Sequence, residues 1–162
     1  MNLFTGESAD EYFGGSVPPA VRRLLDEAVG APPPRVEALL WTAQASAPEC
    51  LPAYYLLYKF HAGRRQFELA EKAARKGVDM AGRQAKLNVD WTQVHPGDGD
   101  FSSTGPARFW LFSLKALAFI CLRSGRSDEA HALVGHITRL DPTQGLGGEV
   151  LTSLLDGSAA SD

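Results

Sequence analysis

The apolar residues of this chain recur at three- and four-residue spacing, and nowhere alternate with polar residues over the length of a strand. Val21, Leu24, Leu25 and Ala28 form a first helical stripe, introduced by Pro18 and Pro19 and stopped by Gly30. After the rigid break "APPP" at 31–34, Val36, Leu39, Leu40 and Ala43 predict a second helix from about Arg35 to Ser46, closed by Pro48. A third, Leu51 to Ala62, carries Tyr54, Tyr55, Tyr58 and Phe60 and ends at Gly63. A fourth, Gln66 to Gln84, opens with the helix-favouring run "FELAEKAARKG". A fifth starts at Thr104–Pro106 and runs to Arg123. Gly125 then turns the chain, and Ser127 caps a sixth that ends near Leu140. Thr143 to Leu155 predicts a shorter seventh. Between the fourth and fifth helices, "DWTQVHPGDGDFSSTG" has turn residues and no periodicity, which predicts a flexible, lid-like insertion over 82–106. Residues 1–16 read as a flexible arm with at most one helical turn at Ser8–Glu11, and 157–162 as a disordered tail. The pattern predicts an all-α chain with one helical domain over 17–156.

Helix pairs joined by short turns invite a search for an internal period. Leu114-x-x-Leu117-Ala118-x-x-Cys121, followed by Ala130-x-x-x-Val134 and Pro142, places small residues on two neighbouring helices where they would cross. Tyr54-x-x-Leu57-Tyr58-x-x-His61, followed by Ala70-x-x-x-Ala74, repeats the spacing upstream. Val36, Leu40 and Pro48 fit the second half of an earlier, weaker copy. This pattern resembles the tetratricopeptide repeat (TPR) W-x-x-L-G-x-x-Y…A-x-x-x-F…P over about Val17 to Pro142. The departures are Tyr58 where a small residue is expected, His61 and Cys121 in place of tyrosine, and Gly82 in place of the closing proline. Ala70 and Ala130 are 60 residues apart, more than the period of about 34; the insertion accounts for the excess. The resemblance implies a right-handed superhelix of about three helix pairs plus a C-terminal capping helix. Its size and irregular repeats are also similar to the small TPR chaperones of bacterial type III secretion, which hold translocators before export. "AYYLLYKFHAGRRQFELAEKAARKG" and "RFWLFSLKALAF" are similar to TPR proteins encoded beside bacterial nitrogen-fixation genes.

Bulk composition narrows the function classes. A formal net charge of −3 supplies no chain-wide basic balance for nucleic acid. No run approaches the roughly 20 apolar residues of a membrane span, and the acidic start has no apolar run of signal-peptide length. Cys50 and Cys121 belong to no Cys-x-x-Cys and read as buried, reduced thiols, so the expectation is a cytoplasmic protein.

The candidate chemical sites are weak by comparison. His131 and His136 are five apart, about 140° around a helix, a poor geometry for one metal. Asp98, Asp100 and Ser102 alternate as in a calcium loop, but Ser103 and Phe109 occupy the places of its glycine and bidentate glutamate. "QGLGGE", Gln144 to Glu149, is followed by no phosphate-binding lysine and preceded by no strand. No metal, cofactor or catalytic residue is therefore expected. The stronger feature is a second stripe, a quarter turn from the packing face of Leu57, Tyr58, Leu114, Leu117 and Ala118. It comprises Tyr55 and Lys59 on the third helix and Phe112, Lys115, Phe119 and Arg123 on the fifth. In a TPR-like superhelix it would line a concave groove with an aromatic floor and cationic rim, suited to a peptide with apolar anchors and an acidic segment. The expected function is a non-catalytic module, adaptor or chaperone-like, that binds a partner polypeptide. The alternative is a small-molecule or cofactor-binding helical protein, potentially an enzyme, with the insertion as lid and His61, His95 and Trp91 near the ligand.

Overall fold

The computed structural model describes residues 17–103 and 105–141. Among them the chain is all-α, with six helices and no strand: α1 (Pro19–Val29), α2 (Pro33–Ser46), α3 (Leu51–Gly63), α4 (Phe67–Gln84), α5 (Pro106–Arg123) and α6 (Ser127–Leu140). The expected turn at Ser8–Glu11 and the seventh helix lie outside the described residues. No described helix is long and apolar enough to cross a membrane.

Proline sets most of the helix starts. Pro19, Pro33, Pro52 and Pro106 each stand in the first turn of their helix. A first-turn N–H has no intrahelical acceptor, so its loss there costs nothing, and the fixed φ is already helical. Ser127 does not cap α6 as expected: it is the first helical residue, Arg126 precedes it, and no side chain caps the helix. The preceding turn explains this. Arg126 N–H donates to the Cys121 carbonyl at 2.9 Å, and Ala130 N–H already donates to the Arg126 carbonyl at 3.1 Å.

That turn recurs sixty residues earlier. Gln66 N–H donates to the His61 carbonyl at 2.9 Å, and Ala70 N–H to the Gln66 carbonyl at 2.9 Å. The left-handed position is Gly125 (φ 81°) in one turn and Arg65 (φ 58°) in the other. Gly63, expected to end the third helix, is its last helical residue; the reversal falls on Arg65. Glycine takes the left-handed conformation without a steric clash, whereas arginine does so under strain.

Each helix packs on the next in sequence, and α3 also touches α5. The closest layer is α3–α4–α5. On α4, Ala70, Ala73, Ala74, Gly77, Ala81 and Gly82 are all buried. A Cβ on Gly77 would lie 3.1 Å from the Tyr54 Cβ and 3.4 Å from Phe109 Cε1, and one on Gly82 3.4 Å from Trp110 Cδ1. The small face of α4 thus lets the large residues of α3 and α5 close over it. Gly82 lies inside α4, against the Trp110 ring. Ala118 and Ala130, the expected crossing pair, are both buried on helices that pack together. Between its termini α5 is buried nearly all round, as its uniformly apolar sequence requires. Burying each of Phe109, Leu111, Leu114 and Leu117 contributes about 1.5–3 kcal/mol.

The 82–106 segment is not the free lid expected. After α4 closes with Leu87 N–H donating to the Gly82 carbonyl at 2.8 Å, the chain sends Leu87, Val94 and Phe101 into the core. Phe101 packs on Trp110 with ring centroids 5.8 Å apart. Two single-turn 3₁₀ helices, Trp91–Gln93 and Pro96–Asp98, fill the intervals. The carboxylates that suggested calcium serve the backbone: Asp98 accepts from His95 N–H, and Asp100 from the N–H groups of Ser102 and Ser103. The bonds from Ser103 and Ser102 pull the Asp100 carboxyl down to about 2. Separate 3₁₀ turns stand between the three anchors, so they share no continuous helix or strand despite their even spacing.

The two matched turns generate an expected asymmetry. Gly125→Ala should cost about 1–2 kcal/mol, the strain of a Cβ in the left-handed region. Arg65→Gly should cost nothing or stabilise by up to about 1 kcal/mol. Urea denaturation of both variants checks this; equal losses would show that the two turns are not equivalent.

Candidate functional site

The six stripe residues do not form one open surface. Tyr55 and Phe112 meet across the α3–α5 seam with ring centroids 5.8 Å apart, and Tyr55 also stands edge-on to Tyr58 at 5.7 Å. Lys59 Nζ lies 5.6 Å from the centre of the Tyr55 ring. Tyr55 is 1% exposed, and Phe112 and Lys115 are 0% exposed. These three are core residues, which corrects the expectation of a groove floor. The physical reason is the position of α5: with its whole middle enclosed, a quarter turn away from its packing face is still interior. Phe119 is half-buried, and Arg123 is exposed, with its guanidinium 5.6 Å from the Phe67 ring of α4.

Lys115 has a structural task. Its ammonium donates to Asp141 Oδ2 at 2.9 Å, tying the middle of α5 to the end of α6. Burial lowers its pKa below the ordinary lysine value, and the Asp141 carboxylate offsets part of that effect. The unsatisfied cost of such an ammonium without its carboxylate is what holds the pair together.

The histidines also separate. His131 is exposed, with Nδ1 2.7 Å from the Ser127 carbonyl. His136 is buried and latches the insertion: Nε2 lies 2.8 Å from the Val94 carbonyl, and the Trp91 ring stands edge-on to the imidazole at 5.4 Å. A carbonyl only accepts, so Nε2 carries the proton; Nδ1, 3.1 Å from the Arg139 guanidinium, is then the acceptor. A second proton on Nδ1 would face that guanidinium. Burial lowers the His136 pKa below 6.5, the Val94 carbonyl opposes this, and Arg139 reinforces it. His61 is fully buried, with Nδ1 2.9 Å from Gln66 Oε1 and Nε2 without a hydrogen-bond partner. His95 is exposed beside Asp98. His61, His95 and Trp91 are therefore not gathered around one cavity. Trp91 lines a cavity of about 160 Å³ between the insertion, α4 and α5, where Leu87, Val89 and Trp110 join it; neither histidine does. Burial pushes the Cys121 thiol up to about 11, so it is not a nucleophile at neutral pH.

The open, apolar feature lies at the other end of the molecule. A cleft of about 410 Å³ runs between α1, α2 and α3. Leu25 and Ala28 of α1 and Leu40 of α2 are its buried base, while Val36, Leu56 and Phe60 are half-buried walls. Val29, 82% exposed, stands at the rim. Two cations line it, Lys59 from the expected stripe and Arg64, whose guanidinium lies 5.7 Å from the centre of the Phe60 ring. Among the described residues that line the cleft there is no carboxylate. The sequence reading reached Lys59 but passed over Leu56, Phe60 and Arg64. The packing faces had been read within each helix, whereas this cleft exists only where two helix pairs meet. The available signal was Val29 and Phe60, large apolar residues outside both stripes.

No protein-family model matches this chain, and no solved structure does. The chain is similar to a protein described as an uncharacterized 19.8 kDa protein in the nifW 5′ region of Azotobacter chroococcum mcd 1. The two are 29% identical over 158 residues, 96% of this chain and 89% of that one.

Two buried groups yield predictions. Asp141→Ala should destabilise by about 3–5 kcal/mol, by stranding the ammonium, and Lys115→Met in the same chain should restore most of the loss; urea unfolding of the single and double variants checks it. For His136, the native state binds fewer protons than the unfolded state once the pH drops below 6.5. Stability conferred by the neutral latch is therefore present above that value and lost as pH falls through the lowered pKa. His136→Gln should show a smaller decline in thermal midpoint than wild type between about pH 7.5 and about pH 5. Equal declines would mean that His136 does not titrate between the two states.

Proposed function

We propose that the chain is a TPR-like interaction module, with α1/α2, α3/α4 and α5/α6 as three irregular helix pairs, that binds a partner polypeptide as an adaptor or chaperone. The matched turns after α3 and α5, and the buried small residues at Ala70, Ala118 and Ala130, support the repeat reading. The observation that carries the function is the apolar cleft shared by the first and second pairs. Its volume falls within the roughly 300–1,000 Å³ of ligand-binding clefts. It is open, apolar-walled and cationic at the edge, which are the requirements for holding an extended or helical segment by apolar anchors. Proteins produced from the nifW region are the first place to seek the partner, because the similar protein is encoded there.

A second reading has one observation in its favour. The insertion roofs the cavity of about 160 Å³ lined by Trp91 and Trp110. That volume is below the roughly 300 Å³ at which drug-sized ligands begin, so it would take only a small metabolite.

The test uses the full chain as bait beside Leu56→Glu, which puts a charge on the half-buried cleft wall. A polypeptide captured by wild type should be identified, purified and titrated by calorimetry against both. Binding at least about tenfold weaker to Leu56→Glu, about 1.4 kcal/mol, with an unchanged thermal midpoint is expected. Equal affinity would remove the cleft as the site. A small molecule carried through purification and seen by native mass spectrometry would favour the second reading.

A further inference from the structure

We infer that the cavity between the insertion, α4 and α5 is a binding site for an uncharged, ring-sized molecule with a hydrogen-bond acceptor, which takes the indole N–H of Trp110. This rests on the cavity of the second reading above and is independent of the α1–α3 cleft. Trp110 is 1% exposed, and its Nε1–H has no acceptor among the described residues. The Cδ1–Nε1 edge of the ring faces Gly82, where a Cβ would lie 3.4 Å from Cδ1 and 3.5 Å from Nε1. Gly82 and Trp110 both line the cavity, so the N–H borders it. An indole nitrogen only donates. A wholly apolar molecule filling the space would strip water from that donor and leave it stranded, whereas a ligand oxygen would accept its bond.

Size and polarity set the rest of the ligand class. The volume of about 160 Å³ is close to the about 150 Å³ of an engineered cavity that takes benzene. Leu87, Val89 and Trp91 of the insertion meet Val78 of α4 and Leu117 of α5 around it. Trp91 is steadied by His136, edge-on to its ring at 5.4 Å. Val89 is 93% exposed, a large apolar side chain that a bound ring would cover. The charged residues along the cavity are already paired. Arg83 lies 3.1 Å from Asp79, and Arg75 lies 2.7 Å from both Glu71 and Glu129. A charged ligand would have to compete with those carboxylates or guanidiniums, or rest unpaired against indole and aliphatic surface. An uncharged one leaves the pairs intact. Gly82 keeps the N–H reachable, since a methyl group there would stand against Cδ1 and Nε1.

The test titrates the isotope-labelled full chain with acetophenone, with α-methylstyrene, which has the same outline without the acceptor, and with benzoate. The indole N–H resonances are followed by NMR. Acetophenone should move the Trp110 signal downfield to saturation, as a newly hydrogen-bonded proton does. α-Methylstyrene and benzoate should each bind at least about fivefold more weakly. Gly82→Ala should weaken acetophenone at least about fivefold while leaving the thermal midpoint unchanged or raised, because alanine suits a helix better than glycine. Trp110→Phe should erase the preference for acetophenone; Gly82→Ala carries the test if that variant does not fold. Equal affinity of the wild type for acetophenone and α-methylstyrene would overturn the role of Trp110 and leave the cavity of the second reading standing. Tighter binding of benzoate would overturn the uncharged class. Binding that leaves the Trp110 signal in place and is indifferent to Gly82→Ala would put the ligand elsewhere and overturn the inference. Absence of saturable binding by any of these probes would remove both the inference and the cavity as a site.

Discussion

The small face of α4 is the constraint from which the rest of the architecture follows. Ala70, Ala73, Ala74, Gly77 and Ala81 leave almost no side chain between α4 and its neighbours. Tyr54 of α3 and Phe109 of α5 therefore close on the α4 backbone from two sides, at distances where even one methyl at Gly77 would force a shift. Once that layer is closed, α5 has no solvent-facing side through its middle. Trp110 must find room against Gly82, and Tyr55 and Phe112 must meet across the α3–α5 seam. The burial of Lys115 is a consequence of the same geometry, and Asp141 is what makes it tolerable.

Helix positions were legible because local chemistry decides them. Prolines mark the starts of α1, α2, α3 and α5, and the apolar stripes continue almost to the observed ends. Local spacing also fixed the packing face, since Leu57, Tyr58, Leu114, Leu117 and Ala118 are all buried. What local spacing does not encode is the number of faces a helix buries. A stripe a quarter turn from the packing face is solvent-facing on a peripheral helix and interior on a central one. The signal that α5 is central was its composition: between Phe109 and Cys121 only Ser113 and Lys115 are polar. Those two polar groups are satisfied internally, Ser113 by Tyr58 and Lys115 by Asp141.

The insertion was misread for a different reason. Order in a segment without regular secondary structure comes from single anchors and from side chains that satisfy the backbone. Leu87, Val94 and Phe101 are the anchors, and Asp90, Asp98 and Asp100 hold the turns between them. The decisive contact comes from a different part of the chain: His136, forty-two residues away, reaches the Val94 carbonyl. A long-range bond to a main-chain oxygen leaves no trace in the local sequence around either partner. Gly99 is held by packing, since a Cβ there would lie 3.3 Å from the Ala107 Cβ.

Several of the ion pairs serve the packing of one helix on another. Lys115 and Asp141 neutralise each other inside. Glu71, Arg75, Arg126 and Glu129 form a network that clamps α4 to the start of α6, with Arg75 2.7 Å from both glutamates. Ions spent on each other in this way fix the relative positions of helices but present little net field to a ligand. Arg64 is arranged differently: it is exposed, lies over the Phe60 ring, and has no carboxylate partner among the described residues. A guanidinium on an aromatic face retains its charge and its outward N–H groups. Here it places a positive charge at the rim of the cleft walled by Val36, Leu56 and Phe60. Under the proposed interaction reading, the apolar walls of the cleft would supply affinity and the Arg64 guanidinium a polar contact at its rim.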